Sequence, residues 1–293
     1  MSRLDHPYHN LTGGRWLRGN LHAHTTRSDG RHSPQALVDA YAALGSGFLA
    51  FAAHDICAPP TELPRDDPRG MVVLPGNEIT QGGPHMCHIG ADRRLEPDWR
   101  RQKVIDQANE GPGFIVINHP NWQQHFDHMP ISMLELLKCF TGIEIFNGIM
   151  QSDEGSAYAL MKWDIMLASG RRLWGFANDD THGPEFVGQG WNVAYVYEHT
   201  VSGVMEALRE GRFYASTGVT ITAIEVSGMH VRIVTENASR FVGGCADAKR
   251  FACVDDRVLE TTVPADAGYA RFTCWGDGER FAWTQPMWVT EEQ

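Results

Sequence analysis

Long apolar runs are missing from this 293-residue sequence. No stretch approaches the roughly 18 consecutive apolar residues of a membrane-spanning helix. The first residues, MSRLDHPYHNLTGG, also lack the apolar segment of a signal peptide. The sequence therefore predicts a cytoplasmic protein that has no membrane partner.

Positive charge is scarce as well. The chain has 25 Lys and Arg against 36 Asp and Glu, which gives a formal net charge of −11 at pH 7. Clustered Lys and Arg bind the phosphates of DNA and RNA, so we expect no nucleic-acid polymer as a partner. Lysine is especially rare, and its positions are Lys103, Lys138, Lys162 and Lys249.

The six cysteines form no C-x-x-C pair and no dense framework, which favours reduced thiols. The G-x-S-x-G pattern is absent too, so the nucleophilic serine of an α/β-hydrolase is not indicated. What the chain does have is 42% hydrophobic residues. That content is enough for the core of one large domain, or of a large domain and a small one.

Apolar runs alternate with helix-like segments over about the first 200 residues. The clearest helix signal has Ser33 as a candidate N-cap, Pro34 at the first helical position and Gly45 at the end. Continuously apolar strands that alternate with helices predict a parallel α/β fold, in an order compatible with a barrel. We expect strands at 16–24, 48–55, 71–80, 85–91, 113–120, 142–148, 172–182 and 192–198, and helices at 33–45, 98–111, 132–140, 154–170 and 202–211.

The texture of the sequence changes after about residue 212. The remaining segment is rich in β-branched and aromatic residues, has Gly and Asn turns, and shows no helical period. This pattern predicts a small antiparallel β module. We therefore expect two domains, 1–212 and 213–293, and the module is a candidate for covering a pocket or for joining two copies of the chain.

Polar residues recur where the predicted strands end. His22 and His24 end the first strand at a spacing of two, which places both imidazoles on one side and lets them chelate one metal. The strand ends of a parallel barrel converge on one face, where so many polar groups would be costly without a metal. The candidates are His22, His24, Asp29, His54, Glu78, His88, His119, Asp180 and His182, whereas His6, His9, His32, His125, His128, His199 and His230 are interpreted as ordinary polar residues.

These motifs resemble a known family. NLHAHTTRSDG, AAHD, GNE, CHIG, NHP and NDDTH match, in order, motifs of the polymerase and histidinol phosphatase (PHP) superfamily over about residues 16 to 212. The segments GIEIFNG, ALMKWDIMLASG and GRFYASTG resemble the branch near carbaryl hydrolase, the CehA/McbA group, which has a β-rich tail. The resemblance implies a distorted (β/α)7 barrel followed by a small C-terminal antiparallel β module.

The resemblance also implies two to three divalent ions, commonly Zn, Mn or Fe. Matched motif by motif, one carboxylate, Glu78, bridges two of the ions. Asp29 stands where some relatives have histidine, and Asp179 is an extra carboxylate beside Asp180. The implied ligands are His22, His24, Glu78 and Asp180 for the first ion, Glu78, His88 and His119 for the second, and Asp29, His54 and His182 for the third.

Two close metals lower the pKa of a bridging water, so the sequence predicts hydroxide attack on a small phosphate ester. Asp55 is the candidate for orienting a ligand or shuttling a proton, with a structural hydrogen bond as the alternative. Arg27 and Asn147 are the candidates for substrate binding. Since Arg27 is the one basic residue evident near the motifs, a carboxylic ester or carbamate hydrolase is the main alternative.

Two further alternatives are weaker. An amidohydrolase-type deaminase or lactonase also opens with H-x-H, but none of the four lysines lies at a strand end, where that superfamily often has a bridging lysine. A polymerase accessory module or a binding domain that has lost activity fits poorly with the acidic charge and with the complete set of ligands. We therefore expect an enzyme with a small-molecule substrate.

Overall fold

The computed structural model describes residues 2–57 and 70–291. Within these ranges the chain is a mixed α/β protein with more strand than helix. The helices are Pro34–Ala43 (α1), Arg101–Asn109 (α2), Ile131–Leu136 (α3), Leu160–Ala168 (α4) and Val201–Arg209 (α5). None of the helices in the described part of the chain is long and apolar enough to cross a membrane.

The strands fall into two groups along the chain. Those before residue 213 are Ser2–Asp5 (β1), Arg15–Asn20 (β2), Phe48–Ala50 (β3), Val72–Leu74 (β4), Gly76–Ile79 (β5), Met86–Ile89 (β6), Phe114–Ile117 (β7), Gly142–Asn147 (β8), Trp174–Asn178 (β9) and Trp191–Val196 (β10). Those after it are Phe213–Ser216 (β11), Ile221–Ser227 (β12), His230–Thr235 (β13), Ala238–Cys245 (β14), Arg250–Val254 (β15), Val258–Thr262 (β16), Tyr269–Gly276 (β17), Phe281–Thr284 (β18) and Met287–Glu291 (β19).

Helix α1 forms for the reasons that the sequence suggests. The Ser33 hydroxyl accepts a hydrogen bond from the Ala36 amide at 3.2 Å, and Pro34 occupies the first position of the helix. Gly45 follows the end of the helix with φ +76°, a conformation that glycine adopts without steric cost. Helix α5 is capped in the same way, because the Thr200 hydroxyl accepts from the Gly203 amide at 3.1 Å.

The strands that lead to the polar cluster belong to two sheets. Strands β2, β3 and β4 are parallel neighbours in an 11-stranded sheet. The second sheet has the order β5-β6-β7-β8-β9, with β6 antiparallel to both of its neighbours and β7, β8 and β9 parallel. Two isolated parallel bridges, Ala23 with Thr181 and His54 with Glu78, link the sheets. The mixed α/β class is confirmed, but the described residues form no continuous hydrogen-bonded (β/α)7 barrel.

The strands after residue 212 all pair antiparallel. Most of them continue the first sheet, whereas β12, β13 and β16 form a separate three-stranded sheet. Strand β11 pairs with β10 on one side and with β18 on the other, while β1 pairs with β19. Trp283 of β18 is fully buried and stacks on Phe146 of β8 with 6.4 Å between ring centroids. The division into domains 1–212 and 213–293 stays a prediction, since strands on both sides of this boundary pair in one sheet.

Candidate metal centre

Two histidines and an aspartate meet where β2 and β9 end. His22 and His24 follow β2, Asp180 follows β9, and the bridge between Ala23 and Thr181 joins the two segments. Asp180 Oδ1 lies 3.1 Å from His22 Nε2 and 3.0 Å from His24 Nε2. All three side chains are buried, and their ligand atoms lie within 4.8 Å of one another, which is close enough for one metal ion.

Glu78 of β5 lies in the middle of the histidines. Its Oε2 is 2.8 Å from His54 Nδ1 and 3.6 Å from His24 Nε2. Its Oε1 is 3.4 Å from His22 Nε2 and 3.3 Å from His119 Nε2. The two carboxylate oxygens thus face different sets of imidazoles, which is the arrangement that a bridging ligand requires.

A more exposed group surrounds Asp29. Asp29 Oδ2 lies 3.1 Å from His54 Nε2 and 3.3 Å from His182 Nε2, and Asp29 Oδ1 lies 3.6 Å from His24 Nδ1. One ligand atom from each of these four residues falls within 4.8 Å of the others. The structure therefore brings together eight of the nine residues that the sequence suggests as ligands.

The ninth residue, His88, does not join the cluster, and the strand register explains why. In the antiparallel pair of β5 and β6, Glu78 is opposite Cys87, whereas His88 is opposite Asn77. Opposed residues share a face of the sheet and successive residues alternate, so His88 points away from Glu78. Burial lowers the pKa of His88 to about 4. The expectation for His88 is corrected, since His85, two residues before Cys87, has the required parity.

His85 and His128 are the histidines that sequence reasoning missed. His85 Nδ1 lies 3.2 Å from Glu78 Oε1. His85, His119 and His128 each offer a ligand atom within 4.8 Å of the other two. His128 Nε2 also accepts a hydrogen bond from the His85 amide at 3.0 Å, and the Trp122 ring packs against all three imidazoles.

The cluster fits divalent ions because its buried ligand atoms lack hydrogen-bond partners. An imidazole nitrogen buried without a partner is costly unless a ligand satisfies it. Nitrogen and carboxylate donors together suit Zn, Mn and Fe. Within the cluster, the ligand atoms without a hydrogen-bond partner include His22 Nε2, both ring nitrogens of His24, Nδ1 of His54, His85 and His119, and Asp180 Oδ1.

Glu144 of β8 is the group that orients this cluster, and the sequence reading overlooked it. Its Oε1 accepts from His22 Nδ1 at 2.8 Å and from Asn178 Nδ2 at 2.9 Å. Its Oε2 accepts from the His119 amide at 2.8 Å. A carboxylate that holds Nδ1–H fixes the tautomer in which His22 Nε2 presents its lone pair to a metal. The available signal was a single acid inside the apolar strand GIEIF.

Asn147, predicted to bind substrate, is buried beneath the ligands. Its amide nitrogen donates to Glu144 Oε2 at 3.0 Å and to Asp180 Oδ2 at 3.2 Å. Its amide oxygen has no hydrogen-bond partner among the described atoms. These contacts make Asn147 a support for Asp180, and its oxygen remains available to a small ligand.

Asp55, predicted to be catalytic, is occupied by the end of β5. Its carboxylate accepts from the Thr80 hydroxyl at 2.7 Å, from the Thr80 amide at 3.2 Å and from the Gln81 amide at 3.2 Å. The structural hydrogen bond, given as the alternative from sequence, is thus the better supported role. Arg27, the second substrate candidate, is half-buried in the loop after β2, where its amide donates to the Thr25 hydroxyl.

Asp179 fastens the loop that follows the ligands of β9. Its carboxylate accepts from the Tyr41 hydroxyl at 2.7 Å and from the amides of Gly188, Gln189 and Gly190 at 2.6 to 2.7 Å. Burial nevertheless raises the pKa of Asp179 to about 6. The extra carboxylate therefore supports the site from behind and is not a further ligand.

The cluster concentrates buried negative charge. Burial alone would raise the pKa of Asp180, but the charges of His22 and His24 hold it well below its usual range. The same opposition, led by His22 and His119, keeps the pKa of Glu78 low. Within the described ranges no Lys or Arg forms an ion pair with Glu78, Glu144 or Asp180. Divalent cations are a natural counter-charge for such a site.

The fold is shared with a protein of known structure. No family model matches the chain, and no curated protein matches its sequence. A two-domain protein from Bacteroides vulgatus, containing a predicted PHP-like metal-dependent phosphoesterase, is 17% identical, with a TM-score of 0.55 over 99% of this chain and 91% of its own. At this identity the likeness shows the fold alone.

Two other solved structures match over less of the fold. An amidohydrolase from Chromobacterium violaceum is 15% identical over 57% of this chain and 88% of its own, with a TM-score of 0.44. A lesion-specific endonuclease from Pyrococcus furiosus is 13% identical over 81% of this chain and 64% of its own, with a TM-score of 0.47. With scores under 0.5, neither supports an argument about this chain.

Proposed function

We propose that this chain is a metal-dependent hydrolase of the PHP type that hydrolyses a small phosphate ester. The observation that carries the proposal is the position of Glu78, whose two oxygens face different sets of imidazoles. We further propose two to three divalent ions, Zn, Mn or Fe, and a distorted barrel related to the branch near carbaryl hydrolase. Bound ions would supply Lewis-acid polarisation of the ester and would acidify a water.

The chain's own residues prepare this chemistry by holding the donors still. Glu144 fixes the ring of His22 and the backbone of His119 at once, because it accepts from both. Asn147 donates a hydrogen bond to Asp180 Oδ2, and Asp179 anchors the loop behind it. Donors that are oriented before an ion binds raise its affinity and fix the site's geometry.

A specific observation keeps a second candidate, a carboxylic ester or carbamate hydrolase. A phosphate substrate needs positive charge besides the ions, and two arginines of the described chain, Arg31 and Arg94, are engaged elsewhere. Arg31 pairs with Glu185, and Arg94 donates to the Asp55 carbonyl at 3.1 Å. We assign Arg27 to the phosphate, and an Arg27→Met variant separates the two candidates because a neutral ester does not need it.

The test combines metal analysis with two substrates. Purified protein is assayed for metal content by plasma mass spectrometry and for hydrolysis of p-nitrophenyl phosphate and p-nitrophenyl acetate. Two or more metal equivalents with phosphatase activity support the phosphoesterase. Metal with acetate hydrolysis alone moves the assignment to the second candidate, and no bound metal after reconstitution with Mn or Zn overturns both.

A further inference from the structure

A buried lysine holds one of the loops of the metal centre. Lys162, on α4, is only 3% exposed. Its ammonium donates to the carbonyl oxygens of Pro120 at 2.7 Å, Met129 at 2.9 Å and Phe126 at 3.0 Å. It also lies 3.3 Å from Asp127 Oδ1. Every acceptor belongs to one segment of chain, residues 120–129, which we name the wall loop.

The wall loop connects two histidines of the cluster. His119 immediately precedes it, and His128 lies near its end. The Trp122 ring packs against both, with centroids 5.1 Å from His119 and 4.8 Å from His128. The same indole is 5.2 Å from His85. Any shift of the wall loop would therefore move the donors on this side of Glu78 together with an aromatic wall of the pocket.

The backbone of this segment is not relaxed by itself. Left-handed conformations occur at His119 with φ 22°, Gln123 with φ 71°, His125 with φ 65° and Phe126 with φ 56°. Such conformations are unfavourable for residues other than glycine and persist when their surroundings hold them. Three carbonyls directed at one ammonium form such a constraint, and an uncharged side chain of similar length could not replace their hydrogen bonds.

We propose that Lys162 is a positioning residue, which fixes the wall loop and so sets the affinity for the divalent ion held between Glu78, His85 and His119. The role of Lys162 in ion affinity rests on the proposed function, whereas its role in fixing the wall loop does not. The cost of burying the ammonium is offset by its four oxygen acceptors. Lys162 acts through the loop backbone and has no direct role in the chemistry.

The chain provides a matched control on the same helix. Asp164, two residues further along α4, accepts from Arg271 Nε at 2.6 Å and from the Tyr269 hydroxyl at 3.0 Å, both in β17. An Asp164→Asn variant also removes a charge from α4, but it disturbs the contact with the C-terminal strands. Damage that spreads through the helix would therefore affect both variants, and a direct effect on the wall loop would affect Lys162 variants alone.

The first measurement is hydrogen exchange of metal-free protein. In K162M we expect the amides of Trp122, His128 and Met129, which are bonded within or next to the loop, to exchange at least about tenfold faster than in the parent and in D164N. Unchanged exchange in this segment would overturn the proposal. This arm does not depend on metal, so it reports on the loop even where the proposed function fails.

The second measurement is titration with Co2+ as a spectroscopic probe. We expect K162M to lose about tenfold in affinity for one Co2+ equivalent, with a changed visible spectrum, and D164N to titrate like the parent. Lys162→Arg keeps the cation and should restore part of the affinity. Equal titration of K162M and parent would contradict the positioning role, and failure of the parent to bind Co2+ would contradict the proposed function instead. Should K162M not fold, K162Q takes its place in both arms.

Discussion

Two polar regions of this molecule, the network on α4 and the histidine cluster, differ in whether their hydrogen bonds are complete. On α4, the charged groups of Lys162 and Asp164 have hydrogen-bond partners. At the histidine cluster, by contrast, His22 Nε2, both ring nitrogens of His24 and His85 Nδ1 converge without hydrogen-bond partners. Complete networks stabilise a fold, and converging incomplete ones indicate a place for a ligand.

Convergence is the deciding part of that comparison. His88 is also buried with both ring nitrogens unpaired, yet it belongs to no group of ligand atoms in the described chain. A solitary imidazole in an apolar setting stays neutral, as the lowered pKa of His88 indicates. Several imidazoles around one carboxylate create a demand that a cation can meet, and the predictions below test this distinction.

The largest effect is expected for Glu78→Gln. The amide removes the charge that faces five histidines, so we expect loss of at least one metal equivalent and a fall in hydrolysis of more than about 100-fold, beyond the range typical of supporting residues. Metal analysis and p-nitrophenyl ester assays on the same preparation measure both. Full metal content in E78Q would show that Glu78 is not a bridging ligand.

Next comes a paired test of register, His85→Gln against His88→Gln. The two residues lie on opposite faces of the same strand segment, so only H85Q should lower metal content and activity, by roughly 100-fold in rate. H88Q serves as the control for loss of a histidine from this region. Loss of metal in H88Q with retention in H85Q would restore the ligand set suggested by the motif alone.

That pair also shows where sequence reasoning stopped. The capped helix α1 and the gathering of eight of the nine suggested residues were predictable, because capping is a local rule and the ends of parallel strands converge. The prediction for His88 was wrong because β6 runs antiparallel. The start of β6 therefore lies at the cluster, and His85 immediately precedes it. The short connection between Ile79 and Met86 was the available signal, since parallel strands need a longer crossover.

Long-range features were beyond the sequence for a different reason. The barrel prediction assumed regular strand pairing, whereas the two sheets meet through single bridges at His54 and Ala23. Nothing in the motifs indicates that β11 continues the first sheet into the C-terminal strands. His128 contacts His85 from the wall loop, whose backbone carbonyls accept from Lys162. Lys162 lies 33 or more positions from these carbonyls in sequence, so no local pattern encodes the contact.

A smaller effect is expected for Glu144→Gln. The amide can still contact His22 but cannot favour Nδ1–H as a carboxylate does, so we expect a 10- to 100-fold weaker metal affinity or activity. The drop in metal affinity is measured by competition with a chelator. Because Glu144 also holds the His119 amide, a Glu144→Ala variant should lose more than E144Q, and equal losses would show that orientation of His22 is the whole effect.

The smallest effect on the metal centre is expected for a substitution in the complete hydrogen-bond network on α4. Arg271→Met breaks the paired hydrogen bonds to Asp164, which are partly exposed, so we expect a loss of roughly 1–2 kcal/mol in the free energy of unfolding. Metal content and activity should stay at the parental level, measured on protein kept well below its unfolding midpoint. A double variant that combines Arg271→Met with Asp164→Leu should recover part of the stability, because it leaves no carboxylate without its cation. If R271M instead lost metal, the two polar networks would be coupled through α4, and completeness of hydrogen bonding would no longer separate the structural region from the functional one.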